Sequence, residues 1–179
     1  MSSSWAFVTS NPNKWQEAQR ILGYAIERVE LEIEEVQAET VPAVALAKAR
    51  VAFDKLKRPV IVEDAGVELF GLGGFPGPYI KYWEKLGGLA SICRAADGLG
   101  DRRVRAVCAL GICSEAGSDI VQGAVEGMLS LQPRGQFGFG WDAIFVPKGD
   151  GRTFGEMSAA EKDARSHRRK AWELLRERL

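Results

Sequence analysis

Strand-like and helix-like segments alternate along this chain, and that alternation restricts its fold more than any other feature. Residues 5–9 (WAFVT) read as a first strand, and residues 10–14 (SNPNK) as the turn into a helix. Val29, Leu31 and Ile33 alternate with Glu30, Glu32 and Glu34, the period-2 pattern of a strand with one wet face. An alanine-rich helix over about 42–56 carries Lys48, and Pro59-Val60-Ile61-Val62 is a short apolar run of the kind found in buried strands. That run delivers Glu63-Asp64 at its C-terminal end. Residues 71–78 form a loop with four glycines and two prolines, and Pro78 opens a helix that carries Lys81 and stops at Gly87-Gly88. After a short helix near 89–96 come two long strands, 103–114 and 119–131, joined by the turn Glu115-Ala116-Gly117-Ser118. A short strand at 143–146 precedes Ser158-Ala159-Ala160-Glu161, a capping box that starts the final helix. This order predicts an α/β fold, a central mixed β-sheet flanked by helices, as one domain over residues 1–179 with no linker or repeat.

Local signals agree with that order. Asn11 is a natural N-cap for the first helix, and Pro12 suits its first position, where no amide hydrogen is missed. Trp15, Ala18 and Leu22 share one side of the helix, and Gly23 stops it.

Bulk composition excludes several classes. The 24 basic and 24 acidic residues balance, which argues against a protein that coats nucleic acid or a membrane surface. No apolar run approaches the roughly 18–20 residues of a membrane span. The start MSSSWAFVTS lacks the charged opening and long apolar run of a signal peptide. Three cysteines, Cys93, Cys108 and Cys113, form no C-x-x-C pair, and their odd number favours a reducing, cytoplasmic setting.

Six segments carry side chains suited to chemistry. In Thr9-Ser10-Asn11-Pro12-Asn13-Lys14, free amides at a helix N-terminus plus Lys14 one turn in would make an anion site, although the segment also reads as an ordinary strand-to-helix turn. Neither a P-loop nor a dinucleotide fingerprint is present. Glu63-Asp64 follows a buried strand, where α/β sheets place ligands, and its hard oxygens suit Mg²⁺ bridging phosphates; a strand that ends in solvent has the same look. Glu34-Glu35 also closes a strand and offers a further ligand, although EIEE reads equally as a solvated face. The stiff segment 74–81 (GFPGPYIK) sets Lys81 about one turn into a helix, facing either phosphate or water.

The last two segments suit a planar, oxygen-bearing anion. Phe139 and Trp141, spaced by Gly140 and followed by Asp142, would stack on a base, or else belong to the core. On a continuous final helix Ala160, Ala164, Ala171 and Leu175 share a stripe, with His167 and Arg168 roughly 50° to either side. Arg168 there needs a partner, either a protein carboxylate or a ligand. Lys162 and Ser166 lie further round. A nucleotide matches an aromatic platform combined with such donors.

Taken in order, FVTSNPNK (7–14), VIVEDAGVELFGLGGFPGPYIKYW (60–83), FGFGWDAIFVP (137–147) and FGEMSAAEKDARSHRRKA (154–171) resemble the Ham1/inosine triphosphate pyrophosphatase family of noncanonical purine NTP pyrophosphatases. The resemblance implies an elongated α/β fold with two lobes and a cleft between them, a homodimer, and Mg²⁺-dependent hydrolysis of ITP, dITP and XTP to the monophosphate and pyrophosphate. It implies that Asn11 and Lys14 contact the triphosphate and that Lys48 and Lys81 face phosphates. It further implies that Glu35 and Asp64 bind Mg²⁺, with Asp64 helping to activate water. Phe139 would stack on the base, Trp141-Asp142 would complete that loop, and Lys162, His167 and Arg168 would hold the base. TSN stands where the family more often has TGN, and VEDAGV where it has VEDTGL or VEDSGL, so Ala65 removes a hydroxyl beside Asp64. A Maf-type pyrophosphatase of different base preference and a non-catalytic nucleotide-binding protein are the alternatives.

Overall fold

Two short strands begin a sheet that the rest of the chain completes. The computed structural model describes residues 5–34 and 36–178. The elements in order are β1 (Ala6–Val8), α1 (Pro12–Leu22), β2 (Glu27–Val29), α2 (Val41–Leu56), β3 (Val60–Leu69), β4 (Pro76–Gly77), α3 (Ile80–Gly87), α4 (Leu89–Asp97), β5 (Arg103–Ser114), β6 (Gly117–Leu129), β7 (Phe145–Pro147), α5 (Ala159–Asp163) and α6 (His167–Arg176). Among the described residues the strands form one seven-stranded sheet in the order β2-β1-β3-β5-β6-β7, with β4 paired to β3. β1 runs parallel to β2 and β3, whereas β3–β4 and β6–β7 are antiparallel, so the sheet is mixed, as the element order predicts.

Contacts divide the chain into two compact units. The first gathers the described residues up to Asp64, Cys108–Gly123 and the chain from Arg168 onward; the second holds Ala65–Val107 and Ala124–His167. In the first unit, Phe7, Ile61, Cys108, Leu110 and Val121 of the sheet pack against Ala18, Ile21 and Leu22 of α1 and Ala171, Trp172 and Leu175 of α6. On the other face of that part of the sheet, Val8, Val60, Val62 and Cys113 pack against Ala49 and Ala52 of α2. Alternation along β1 and β3 therefore sends odd residues to α1 and α6 and even ones to α2. The core of the second unit joins Val67, Leu69, Ile80, Ile92, Val104, Ala106, Leu129, Ile144, Phe145, Phe154 and Met157.

Caps read from the sequence hold. Asn11 caps α1, Gly23 ends it at φ 76°, and Ser158 with Glu161 forms a reciprocal capping box. Three expectations change. The predicted strand over 29–33 ends at Val29, where its pairing with β1 ends at Val8; Leu31 and Ile33 alternate because they pack on the α2 side. β3 runs on to Leu69, so Glu63-Asp64 lies inside a strand and not at its end. It is β1 that stops there, its pairing with β3 ending at Val62. The single final helix is two helices, broken at Ala164–Ser166, which resets the helical phase. Ala160 and Ala164 are therefore exposed, and Lys162, Ser166, His167 and Arg168 are buried.

Candidate active site

Strand alternation decides where the two acidic neighbours go. Glu63 continues the Ile61 side toward α1 and α6, and Asp64 continues the Val60 and Val62 side toward α2. On the α6 side, Arg168 Nε donates to both Glu63 oxygens at 3.1 and 3.0 Å, and Nη2 donates to Oε1 at 2.9 Å. Arg168 Nη1 donates to Glu17 of α1. Lys14 Nζ lies 3.5 Å from Glu63 Oε1 and donates to the Glu63 carbonyl at 3.4 Å. Burial pushes the Glu63 carboxyl up, but the charges of Arg168 and Lys14 outweigh it and hold the group below the usual range. Burial likewise opposes the Arg168 charge, and Glu63 and Glu17 override it.

Of the two partners open to Arg168, a protein carboxylate or a ligand, the protein supplies carboxylates, and Glu63, offered as a metal ligand, has both oxygens engaged as a counter-ion. The reason is electrostatic: charges this far from water persist only when paired.

Asp64 has a different environment. Its Oδ1 lies 3.6 Å from Lys48 Nζ, and its Oδ2 is buried with no hydrogen-bond partner among the described residues. Burial raises its pKa; Lys14 and Lys48 offset this only in part, and the Glu63 charge adds to it. A buried oxygen left unsatisfied is costly, so this carboxylate is suited to a cation or a donor that arrives with a ligand. Mg²⁺ fits that oxygen, since it takes one or two carboxylates and completes its shell with phosphate oxygens and water. Among the described residues no group of three or more His, Cys, Asp or Glu forms a protein cage. Glu35, expected as a second ligand, lies outside the described residues.

The loop before α1 adds donors, though not the ones expected. Asn11 Oδ1 accepts from the amides of Asn13 at 2.9 Å and Lys14 at 3.3 Å, and Pro12 has no amide hydrogen. The helix-end amides are thus capped, because an N-cap asparagine satisfies the donors that a bare terminus would leave open. What the loop offers an anion is its exposed Ser10 and the half-buried Lys14.

The second unit brings Lys162 and Phe139 to Asp142. Its buried Oδ2 accepts from Lys162 Nζ at 2.5 Å and from the Phe139 amide at 2.8 Å. Lys162 Nζ also sits 4.6 Å from the Phe139 ring centroid. Gly138, at φ 71°, permits this turn: a Cβ there would come 2.2 Å from Asp142 Oδ2. Glu84 of α3 lies close to Asp142, and burial followed by that charge raises its pKa. Phe139 is half-buried, but Trp141 is a core residue, packed on Phe145 at 5.8 Å and His167 at 5.1 Å between ring centroids. Of the two readings open to Trp141, a base platform or a core residue, its burial against these two rings favours the core. Buried His167 also stacks on Phe154 at 6.3 Å, and Ser166 is buried at the α5–α6 break. Lys81 is exposed on α3, its Nζ 4.9 Å from the Tyr82 ring centroid.

Sequence reasoning missed Glu17, Arg28 and Trp172. Glu17 sits one turn before Ile21 on the apolar side of α1, and an acid on an apolar face was the available signal for a buried counter-ion. Trp172 is buried on α6 with its ring 5.0 Å from that of Phe7, and its indole N–H has no hydrogen-bond partner among the described residues; no local pattern announces it.

Comparison with known proteins follows this geometry. A profile of the Ham1 family matches residues 5–178. A dITP/XTP pyrophosphatase of Methanopyrus kandleri is 38% identical over 175 residues, 96% of this chain and 93% of that protein. An inosine triphosphate pyrophosphatase of Batrachochytrium dendrobatidis is 38% identical over 179 residues, 97% of this chain and 93% of that protein. The solved structure of a HAM1 protein from Coxiella burnetii superposes with a TM-score of 0.83 at 27% identity, covering 96% of each chain.

Proposed function

Since the chain belongs to the Ham1 family, we propose that it hydrolyses the noncanonical purine triphosphates ITP, dITP and XTP to the monophosphate and pyrophosphate, and so cleanses the nucleotide pool. The observation that carries this reading is Asp64, a buried carboxylate with one unsatisfied oxygen set against Lys48.

Residues 1–179 act as one catalytic domain. The triphosphate is assigned to Ser10, Asn11, Lys14 and Lys48, with Thr9 shaping the loop and Lys81 a further cation for phosphate. Phe139, Gly140, Asp142, Lys162, Ser166 and His167 are assigned to the base, with Phe139 the stacking surface. Asp64, together with Glu35, would hold Mg²⁺, which when bound neutralises phosphate charge and lowers the pKa of water. In the reaction a water oxygen bonds to the α-phosphorus, the bond from that phosphorus to the oxygen bridging to the β-phosphate breaks, and pyrophosphate leaves. Asp64 takes the water proton as the general base. Lys14 and Lys48 stabilise the charge that shifts to the pyrophosphate.

Base choice follows from donors. Hypoxanthine and xanthine carry an acceptor oxygen where adenine carries an amino donor. The Lys162 ammonium, oriented by Asp142, pairs with the first and opposes the second. We place the enzyme in the cytoplasm as a homodimer. Its buried free thiols suit a reducing compartment, and exposed Phe70, Phe75, Tyr82 and Leu86 offer apolar surface to a second copy. No helix among the described residues is long and apolar enough to cross a membrane.

The test is pyrophosphate release from ITP, dITP, XTP and ATP with and without Mg²⁺. Rapid release from the first three and little from ATP is expected, and release from none of them would end this reading.

A further inference from the structure

We propose that Arg28 of β2 is a positioning residue for phosphate binding, acting through the Thr9–Ser10 backbone; this rests on the pyrophosphatase reading above. Arg28 Nε donates to the Thr9 carbonyl and Nη2 to the Ser10 carbonyl, both at 3.1 Å. The guanidinium is itself held in place: Nη2 is also paired with Glu30, and Cζ lies 6.0 Å from the Trp15 ring centroid. Strand register sets this up, because Arg28 pairs with Phe7 on β1, immediately before the loop that β1 enters after Val8.

The consequence is a matter of peptide geometry. In a trans peptide the carbonyl and the next amide hydrogen point in opposite directions. Fixing the Thr9 and Ser10 carbonyls on Arg28 therefore turns the Ser10 and Asn11 N–H groups to the side away from it. The Asn11 amide is taken by Thr9 Oγ1 at 3.1 Å, which closes the turn and leaves the Ser10 amide as the outward donor of the loop. This matters more here because Asn11 already caps the amides of Asn13 and Lys14. Without the clamp, either peptide can rotate and present a carbonyl oxygen to the phosphates, which repels them. Arg28 makes this contribution without touching substrate, and it acts on the phosphate end alone.

The experiment compares wild type with Arg28→Gln and Arg28→Lys. It measures kcat and KM for ITP and ATP, inhibition by tripolyphosphate, and thermal melting. For Arg28→Gln the expected result is a KM for ITP raised about tenfold, the scale of one well-placed hydrogen bond. Tripolyphosphate inhibition should weaken by a similar factor, with kcat within about twofold and the ITP-to-ATP preference unchanged. Arg28→Lys, which keeps the charge and one donor, should fall between the two. A folded Arg28→Gln enzyme with unaltered KM and tripolyphosphate affinity would overturn the proposal, as would a change in ITP-to-ATP preference. If wild type cleaves no purine triphosphate, the pyrophosphatase reading fails, and tripolyphosphate binding still tests the clamp separately.

Discussion

Glu63 and Asp64 are consecutive on β3 and serve opposite faces of its sheet: Glu63 is bound by Arg168, while Asp64 lies 3.6 Å from Lys48 with its other oxygen unsatisfied. One acid is spent on an ion pair, and the other is available for chemistry.

Asp64→Asn should lower kcat by about 100-fold or more, the range for a lost acid-base group. The folded-state pKa of Asp64 is raised, so its protonated form is favoured by folding. Its contribution to stability is present at low pH and is lost as pH rises through the folded pKa. At neutral pH the amide should therefore melt no lower than wild type. Steady-state kinetics and a melting curve on one preparation check both halves, and normal turnover would remove Asp64 from the mechanism.

Arg168→Ala should act on stability before specificity. It removes the guanidinium that buried Glu17 and Glu63 share and leaves Glu63 with Lys14 beside it, a loss of about 3–5 kcal/mol by comparison with other broken buried pairs. Without Arg168 the Glu63 carboxyl should titrate higher than in wild type, so the deficit should shrink as pH falls and it takes up a proton. Urea unfolding at pH 7 and pH 5 measures this, and a variant as stable as wild type at pH 7 would contradict the pairing.

Lys162→Gln should weaken ITP use more than ATP use if, as proposed, its ammonium, held by Asp142 at 2.5 Å, reads the base oxygen. The comparison is the ratio of kcat/KM for the two substrates. Equal losses would take Lys162 out of base reading.

Gly138→Ala should damage the same base-side turn from a distance. A methyl at φ 71° is strained, and it would also meet Asp142 Oδ2 at 2.2 Å. A cost of about 1–3 kcal/mol and a raised KM for ITP are expected, whereas Gly149→Ala, also at positive φ but with nothing within 4 Å, should leave KM unchanged.

Local signals determined the elements. The α/β order, the Asn11 and Ser158 caps, the Gly23 stop and the strand spanning Arg103–Ser114 were legible because each depends on a few neighbouring residues. The family motifs likewise brought Asp64, Lys48, Asp142 and Lys162 into view as candidates. Only the tertiary structure decided how those candidates are used. The Glu63-Asp64 dipeptide reads alike at both positions, but burial and alternation gave one residue to Arg168 and left the other unsatisfied. A helix break at Ala164–Ser166 is invisible to periodicity and moved Arg168 out of the expected stripe into an ion pair with Glu17, some 150 residues away. Trp141 likewise became core because His167 and Phe145 pack against its ring. Charge pairing and ring packing depend on which distant groups share a low-dielectric interior, and short-range sequence pattern carries no record of that.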